Sequence, residues 1–235
     1  MDKLKDIFQI LEISWSDDKA RKFEGYMNGI LRWNESVNLT TITDREAFIA
    51  KHFIDSVTCA DCDEFAEAEK IIDVGTGGGF PGVPLAIAFP EKKFVLIDSL
   101  GKRINIIKEL CEDLGITNVK AIHGRAEDLA NKGDMREKFD LCVSRAVANM
   151  STLSEYCLPF VRVGGTFIAY KGPNSREEIE EAEGAIEALG GELYTVYETD
   201  IEGFDSDHVL VYTEKIKKTP KKYPRKAGIP SKQPL

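Results

Sequence analysis

Hydrophobic positions keep a helical period up to about Lys70 and then break into short strand-like runs separated by helices. Leu4, Ile7, Phe8 and Leu11 share one helical face. So do Phe23, Met27, Ile30 and Leu31, which follow the capping candidates Ser16, Asp17 and Asp18. A third helical pattern begins near Asp44 and carries Phe48, Ile49 and Phe53. Beyond Lys70, Ile71 to Val74 reads as a buried strand, followed by a glycine cluster and a helix through Pro84 to Ala88. The strands Phe94 to Ile97, Val119 to Ile122, Phe139 to Val143 and Thr166 to Tyr170 alternate with helices. These are expected over Lys102 to Leu114, around Glu127, from Ser151 to Phe160 and from Arg176 to Leu189. Two consecutive strands, Glu192 to Tyr197 and His208 to Thr213, come last. Such alternation predicts an α/β fold with a doubly wound, mostly parallel sheet, and the final pair predicts an antiparallel hairpin at one edge. The expected divisions are an N-terminal helical extension over 1–66, the α/β domain over 67–214 and a tail over 215–235.

Composition removes several alternatives. A chain of 235 residues with 43% hydrophobic and 30% charged residues has the balance of a globular protein that needs no metal or disulfide staple. The longest apolar run, Val83 to Phe89, falls far short of the roughly 18 residues that a membrane span needs. The first residues, Met1 to Asp6, show no apolar stretch behind a basic patch, so no signal peptide is expected. The five cysteines are scattered and odd in number, which points to a reduced, cytoplasmic protein.

Charge divides the chain more sharply. Eight of the 31 Lys and Arg residues lie between Lys215 and Leu235, where there is no Asp or Glu. The other 23 face all 40 acidic residues, so 1–214 carry −17 and the tail +8. A tail of this kind touches a polyanion, as an extended basic strip interrupted by prolines, or else serves solubility or folds back on the acidic body.

The densest chemical signal is Asp73-Val74-Gly75-Thr76-Gly77-Gly78-Gly79-Phe80-Pro81-Gly82, between a strand and a helix. That is the context of a nucleotide-binding glycine turn. Asp98 closes the next strand 23 residues after Gly75, near the spacing at which an acid meets a ribose hydroxyl pair. A dinucleotide would bring its pyrophosphate to the helix start, where Asp73 is unwelcome. S-adenosylmethionine brings a sulfonium and an amino group instead, and Asp73 suits them; its bland alternative is a carboxylate that braces the loop. Arg145 ends the fourth strand, at the side of the sheet where ligands sit, or makes an ordinary surface ion pair.

Here the chain resembles the ribosomal-RNA small-subunit methyltransferase G family, also called glucose-inhibited division protein B. The matching stretches are Trp33-Asn34 with Asn38-Leu39-Thr40, His52 to Ser56, Asp73 to Pro84, Leu96 to Arg103, Ser144-Arg145-Ala146, Tyr170-Lys171-Gly172 and Thr219 to Gly228. The resemblance implies a Rossmann-like class I adenosylmethionine-dependent fold and methylation of guanine N7 in the decoding-centre 530 loop of 16S rRNA. It places Gly75, Gly77 and Phe80 at the methionine end of the cofactor, Ala126 and Glu127 near its adenine, Asp98 on the ribose and Arg145 in the same site. It names 16S rRNA or the small ribosomal subunit as partner; no membrane, no metal and a monomeric chain are expected besides. Arg145 and Lys171 are candidates for orienting the reaction. Arg103, Lys171, Lys221, Lys222, Arg225 and Lys226 are candidates for RNA phosphates, or else are solvated charges. No Asn-Pro-Pro-Tyr follows the fourth strand and no Pro-Cys nucleophile is present, so neither exocyclic-amine nor pyrimidine-carbon methylation is signalled.

Other patterns carry less. Cys59-Ala60-Asp61-Cys62 lacks the second pair or nearby histidine of a zinc site, and a helix-end coincidence is the better reading. His52, Asp55 and Ser56 match a triad only in residue type, and His52 is expected to brace the N-terminal helices against the α/β domain. Three other classes share parts of the pattern. A nicotinamide dehydrogenase would keep the glycine loop but not Asp73. A small-molecule methyltransferase would leave the basic tail unused, and a non-enzymatic RNA-binding module would leave the cofactor loop unused.

Overall fold

The computed structural model describes residues 1–131, 133–145 and 147–235, without the side chains of Asp200, Asp205 and Asp207. Ala146, the last residue of the Ser144-Arg145-Ala146 match, lies outside the described residues. The N-terminal helices form where capping and apolar spacing coincide. They are α1 (Asp2–Ile10), α2 (Asp17–Asn34) and α3 (Arg45–Phe48). The Ser16 side chain accepts the Lys19 N–H, and the Asp44 side chain accepts the Ala47 N–H, closing the first turns of α2 and α3. The chain then widens into a π-helical stretch over Ile49–Ile54 before α4 (Asp55–Val57) and α5 (Asp63–Glu67).

From Lys70 strands and helices alternate as β1 (Lys70–Val74), α6 (Gly82–Ala88), β2 (Lys93–Asp98), α7 (Gly101–Asp113), β3 (Val119–His123), α8 (Ala126–Asn131), β4 (Phe139–Arg145) and α9 (Met150–Cys157). They continue as β5 (Val161–Lys171), α10 (Arg176–Glu181), α11 (Glu183–Ala188), β6 (Gly191–Ile201), β7 (Phe204–Lys215) and the short α12 (Ile229–Lys232). One seven-stranded sheet runs β3-β2-β1-β4-β5-β7-β6. Neighbours from β3 through β5 are parallel, while β7 runs antiparallel to both β5 and β6. The order reverses between β1 and β4, and in open α/β sheets ligands bind beyond the carboxyl ends of the strands at such a switch.

Strand side chains alternate between two cores, as a pleated strand requires. Ile71, Leu96, Leu141, Val143, Ile168 and Leu210 pack with α1–α7. Ile72, Ile97, Cys142, Phe167, Val209 and Val211 pack under α8–α11. Buried side chains of the N-terminal helices, including Phe8, Phe23, Tyr26 and Phe53, belong to the first of these cores. Lys19 fastens α2 to the end of α6 through a 2.7 Å bond to the Ala88 carbonyl.

Two expectations change. The helix expected over Arg176 to Leu189 is two short helices broken at Ala182, whose N–H turns back to the Ile179 carbonyl just before Gly184, a poor helix former. The tail is not an extended basic strip. Lys215 is the last residue of β7, fully buried, with Nζ bonded to the Leu158 carbonyl and to Thr219 Oγ1. Arg136 donates to the Thr219, Pro220 and Tyr223 carbonyls, and Asn131 to that of Pro224. Tyr223 is buried in the core beneath α8–α11. The acidic body adds two counter-charges, Glu137 at 3.8 Å from Lys215 Nζ and Glu155 at 2.6 Å from Arg225.

Candidate functional site

After β1 the glycine loop turns back over the neighbouring strand. The N–H groups of Gly75 and Thr76 both donate to the Ile97 carbonyl, at 2.9 and 3.1 Å. Glycine is required here by backbone angle: Gly75, Gly77 and Gly79 have φ of +74°, +59° and +88°. A Cβ at Gly77 would meet nothing within 4 Å, so this residue presents bare backbone to open space. Three supports fix the loop. Asp98 Oδ2 accepts the Gly77 N–H at 2.9 Å, Asp73 Oδ2 accepts the Thr76 hydroxyl at 2.6 Å and the Gly82 N–H at 2.9 Å, and the Tyr26 hydroxyl donates to the Gly78 carbonyl at 2.8 Å.

A cavity of about 230 Å³ opens beyond the carboxyl ends of β1, β2 and β3. Gly75, Asp98, Ala126 and Glu127 line it, together with Val74, Ile97, Ser99, Gly124, Arg125, Val147 and Tyr156. Four residues expected at the cofactor thus meet at one cavity. Asp98 keeps one oxygen on the Gly77 N–H and the other on the Leu100 N–H, and each retains a lone pair for a hydroxyl. Arg103, one-third exposed, pairs with Asp98 at 3.8 Å.

Of the remaining cofactor candidates, Gly77 sits in the loop itself, while Asp73, Phe80 and Arg145 lie behind the loop; none of the four is on the cavity wall. Asp73 is fully buried and does what its bland alternative supposed, bracing the turn. Burial pushes its pKa up to about 7, against the downward pull of the Thr76 and Gly82 hydrogen bonds. Its Oδ1 is buried without a hydrogen-bond partner among the described residues, a free acceptor directly beneath the loop. Phe80 stacks on His52, with ring centroids 4.2 Å apart, and edges against Tyr26 and Phe48. Arg145 lies over the Phe80 ring at 5.5 Å and is nearly buried. Its guanidinium bonds Asp55 Oδ2 at 2.6 Å, the Lys51 carbonyl at 3.0 Å and His52 Nδ1 at 3.1 Å.

His52, expected as a brace, joins Thr40 through Nε2 at 2.7 Å and β4 through Arg145, so it spans the N-terminal helices and the strand end. Asp55 holds Arg145 on one oxygen and both His208 and Ser206 on the other. Burial alone would raise its pKa, but His208 and Arg145 overcome that and hold it below the usual carboxylate value. Ser56 donates to the His52 carbonyl, so the three residues make no triad.

Among the basic candidates, Lys171 is engaged by Glu178 at 2.5 Å and by the Ala148 carbonyl at 3.0 Å. Arg225 is clamped bidentately by the fully buried Glu155, with bonds of 2.6 to 3.1 Å. Lys221, Lys222 and Lys226 are exposed. In the C-x-x-C, Cys62 Sγ caps α5 by accepting the Phe65 N–H and itself donates to the Cys59 carbonyl. Among the described residues no group of three or more His, Cys, Asp and Glu converges as a metal site.

Sequence reading did not find Val147, Ser99, Gly124, Tyr156 or Tyr26. Ser99 and Gly124 adjoin strand ends and were within reach of the rule that ligands sit there. Tyr156 and Tyr26 look like any helical aromatic. Only tertiary packing brings them to the cavity and the loop.

A profile of the family described as rRNA small subunit methyltransferase G matches residues 19–206. Ribosomal RNA small subunit methyltransferase G from Clostridium perfringens (strain 13) is 50% identical, covering 100% of this chain and 98% of the relative. The protein of the same name from Clostridium tetani is 52% identical over 95% of this chain and 93% of its own. The chain belongs to the rRNA small subunit methyltransferase G family.

Solved structures agree on the fold. Cofactor-bound Rv0187 from MTB superposes with a TM-score of 0.56 at 15% identity, over 82% of this chain and 90% of that one. The Methanococcus jannaschii fibrillarin pre-rRNA processing protein gives 0.50 at 20% identity, over 63% and 67%. The architecture is that of class I methyltransferases: a mostly parallel sheet with an antiparallel edge.

Proposed function

We propose that this protein methylates N7 of a guanine in the decoding-centre 530 loop of 16S rRNA. Membership of the family makes it an rRNA methyltransferase. Its cofactor is S-adenosylmethionine, which supplies, when bound, a methyl group activated on a sulfonium. The observation that carries the assignment of the site is the meeting of Gly75, Asp98, Ala126 and Glu127 at one cavity beneath the glycine turn. In this reading Asp98 takes the ribose hydroxyls, and Ala126 and Glu127 flank the adenine. Gly77 lets the methionine end pass close to bare backbone, and buried Asp73 keeps an acceptor oxygen, unpartnered among the described residues, behind the loop.

Guanine N7 offers an in-plane lone pair and no proton, so no general base is needed. The acceleration must come from orientation and from exclusion of water. Arg145 suits the orienting role, because Asp55, His52 and Phe80 hold its guanidinium in one place at the end of β4. Lys171 sits at the end of the next strand and is steadied by Glu178. Exposed Lys221, Lys222 and Lys226, with Arg103, one-third exposed, are positioned to meet phosphates. The reaction so drawn requires no metal, and the reading places the protein in the cytoplasm as a monomer acting on 16S rRNA or the small subunit. No helix among the described residues is long and apolar enough to cross a membrane. Mass spectrometry of nucleosides from 16S rRNA, in cells with and without the protein, tests the proposal. The expected result is a 7-methylguanosine that disappears with the protein, and an unchanged modification profile would overturn it.

A further inference from the structure

The folded-back tail passes along the cavity wall. Glu127, which lines the cavity and is 3% exposed, accepts the Gly228 N–H on Oε1 at 2.9 Å. Gly228 has φ of +82°, a left-handed turn that aims this N–H inward and that an L side chain would strain. Three residues upstream, Arg225 gives Glu155 both its backbone N–H and its guanidinium. Glu155 is fully buried, and its neighbour in sequence, Tyr156, lines the same cavity. A buried carboxylate stripped of its cation is strongly unfavourable, so the Arg225 clamp fixes α9 and the tail together. Thr152 also donates to the Pro230 carbonyl at 3.1 Å. A tail serving only solubility would not engage buried side chains of two helices that both wall the cavity.

We infer that residues 219–230 form a strap that shapes the cofactor cavity, with Arg225 and Gly228 as positioning residues acting through Glu155 and Glu127. The inference rests on reading this cavity as the adenosine site. Linkage then requires reciprocity: if the docked strap favours the cofactor, the cofactor must favour the docked strap by the same factor.

The test uses the full chain and adenosylhomocysteine as probe. Calorimetry should show Arg225→Ala binding it about tenfold more weakly, within the usual range of coupling between sites. Arg225→Lys should restore part of the loss, because it returns the charge without the two-pronged fork. Adenosine alone should lose as much as adenosylhomocysteine, since Glu127 and Tyr156 lie at that end. In the unaltered protein, hydrogen exchange at the Gly228 amide should slow when adenosylhomocysteine is added, a measurement independent of whether any variant folds. Unchanged affinity in a folded Arg225→Ala protein with a lowered melting temperature, or unchanged Gly228 exchange, would reduce the strap to a structural brace and overturn the inference. Gly77→Val separates the two failures. If it binds adenosylhomocysteine normally, the cavity reading falls and the strap's role falls with it. If it abolishes binding while Arg225→Ala does not weaken it, only the strap fails.

Discussion

His52 is held as a neutral ring. The Arg145 guanidinium donates to Nδ1, so the proton sits on Nε2 and is given to Thr40. Burial, and then Arg145, lower its pKa from 6.5 to about 3. As pH falls below 6.5 the unfolded chain takes up a proton that the folded one refuses. The His52 contribution is therefore intact above 6.5 and is lost on acidification until the folded state protonates near 3. Asp73 has the opposite sign. Its pKa is raised from 3.8 to about 7, so its contribution is intact below 3.8 and is lost as pH rises through about 7. Urea unfolding at a series of pH values should show His52→Gln gaining stability relative to the unaltered protein as pH drops from 6.5 to about 5. Asp73→Asn should gain as pH rises from about 5 to 7. The limiting slope is about 1.4 kcal/mol per pH unit in each case. Difference curves that stay flat, or that share a sign, would contradict these assignments.

Among the elements, α2 has a task beyond packing, because its Tyr26 hydroxyl is one of the three supports of the glycine loop. Tyr26→Phe keeps the ring against Phe80 and removes only the bond to the Gly78 carbonyl. Expected are a loss of about 1 kcal/mol in stability and a several-fold weaker affinity for adenosylhomocysteine in calorimetry. Unchanged affinity would leave the loop held by Asp73 and Asp98 alone. This support was invisible in the sequence, where Tyr26 has no distinguishing neighbour. The alternation of strands and helices was legible because buried parallel strands read as short apolar runs, and the cap Ser16 was legible because capping is local. The loop and Asp98 were also legible, since their spacing along the chain is fixed by one strand–turn–helix unit. Arg145 was legible as the end of the fourth strand and Arg225 as a candidate for RNA phosphates, but the carboxylates that hold them were not. Their partners, Asp55 and Glu155, lie 90 and 70 residues away and look like ordinary surface acids. The break at Ala182 was hidden because Ala182, Ile186 and Leu189 keep an unbroken apolar stripe across it.

At the scale of the whole molecule the net charge is −9, yet the proposed substrate is a polyanion. Folding distributes the tail's charges unequally. Lys215 and Arg225 are consumed internally, whereas Lys221, Lys222 and Lys226 remain on the surface of the strap. Replacing these three by Glu should weaken RNA binding and reduce the salt slope by about 2, at about 0.7 per lost single-strand phosphate contact. Adenosylhomocysteine affinity should not move. An unchanged slope in filter-binding titrations would assign RNA contact to another surface.

Methylation at N7 leaves a chemical mark of its own: the cationic 7-methylguanine ring is reduced by borohydride, after which aniline cuts the strand. Purified protein, labelled S-adenosylmethionine and small subunits whose 16S rRNA lacks the modification should therefore yield labelled rRNA that is cleaved at a single guanine in the 530 loop. Labelled rRNA that survives this treatment intact, or is cut elsewhere, would contradict the account.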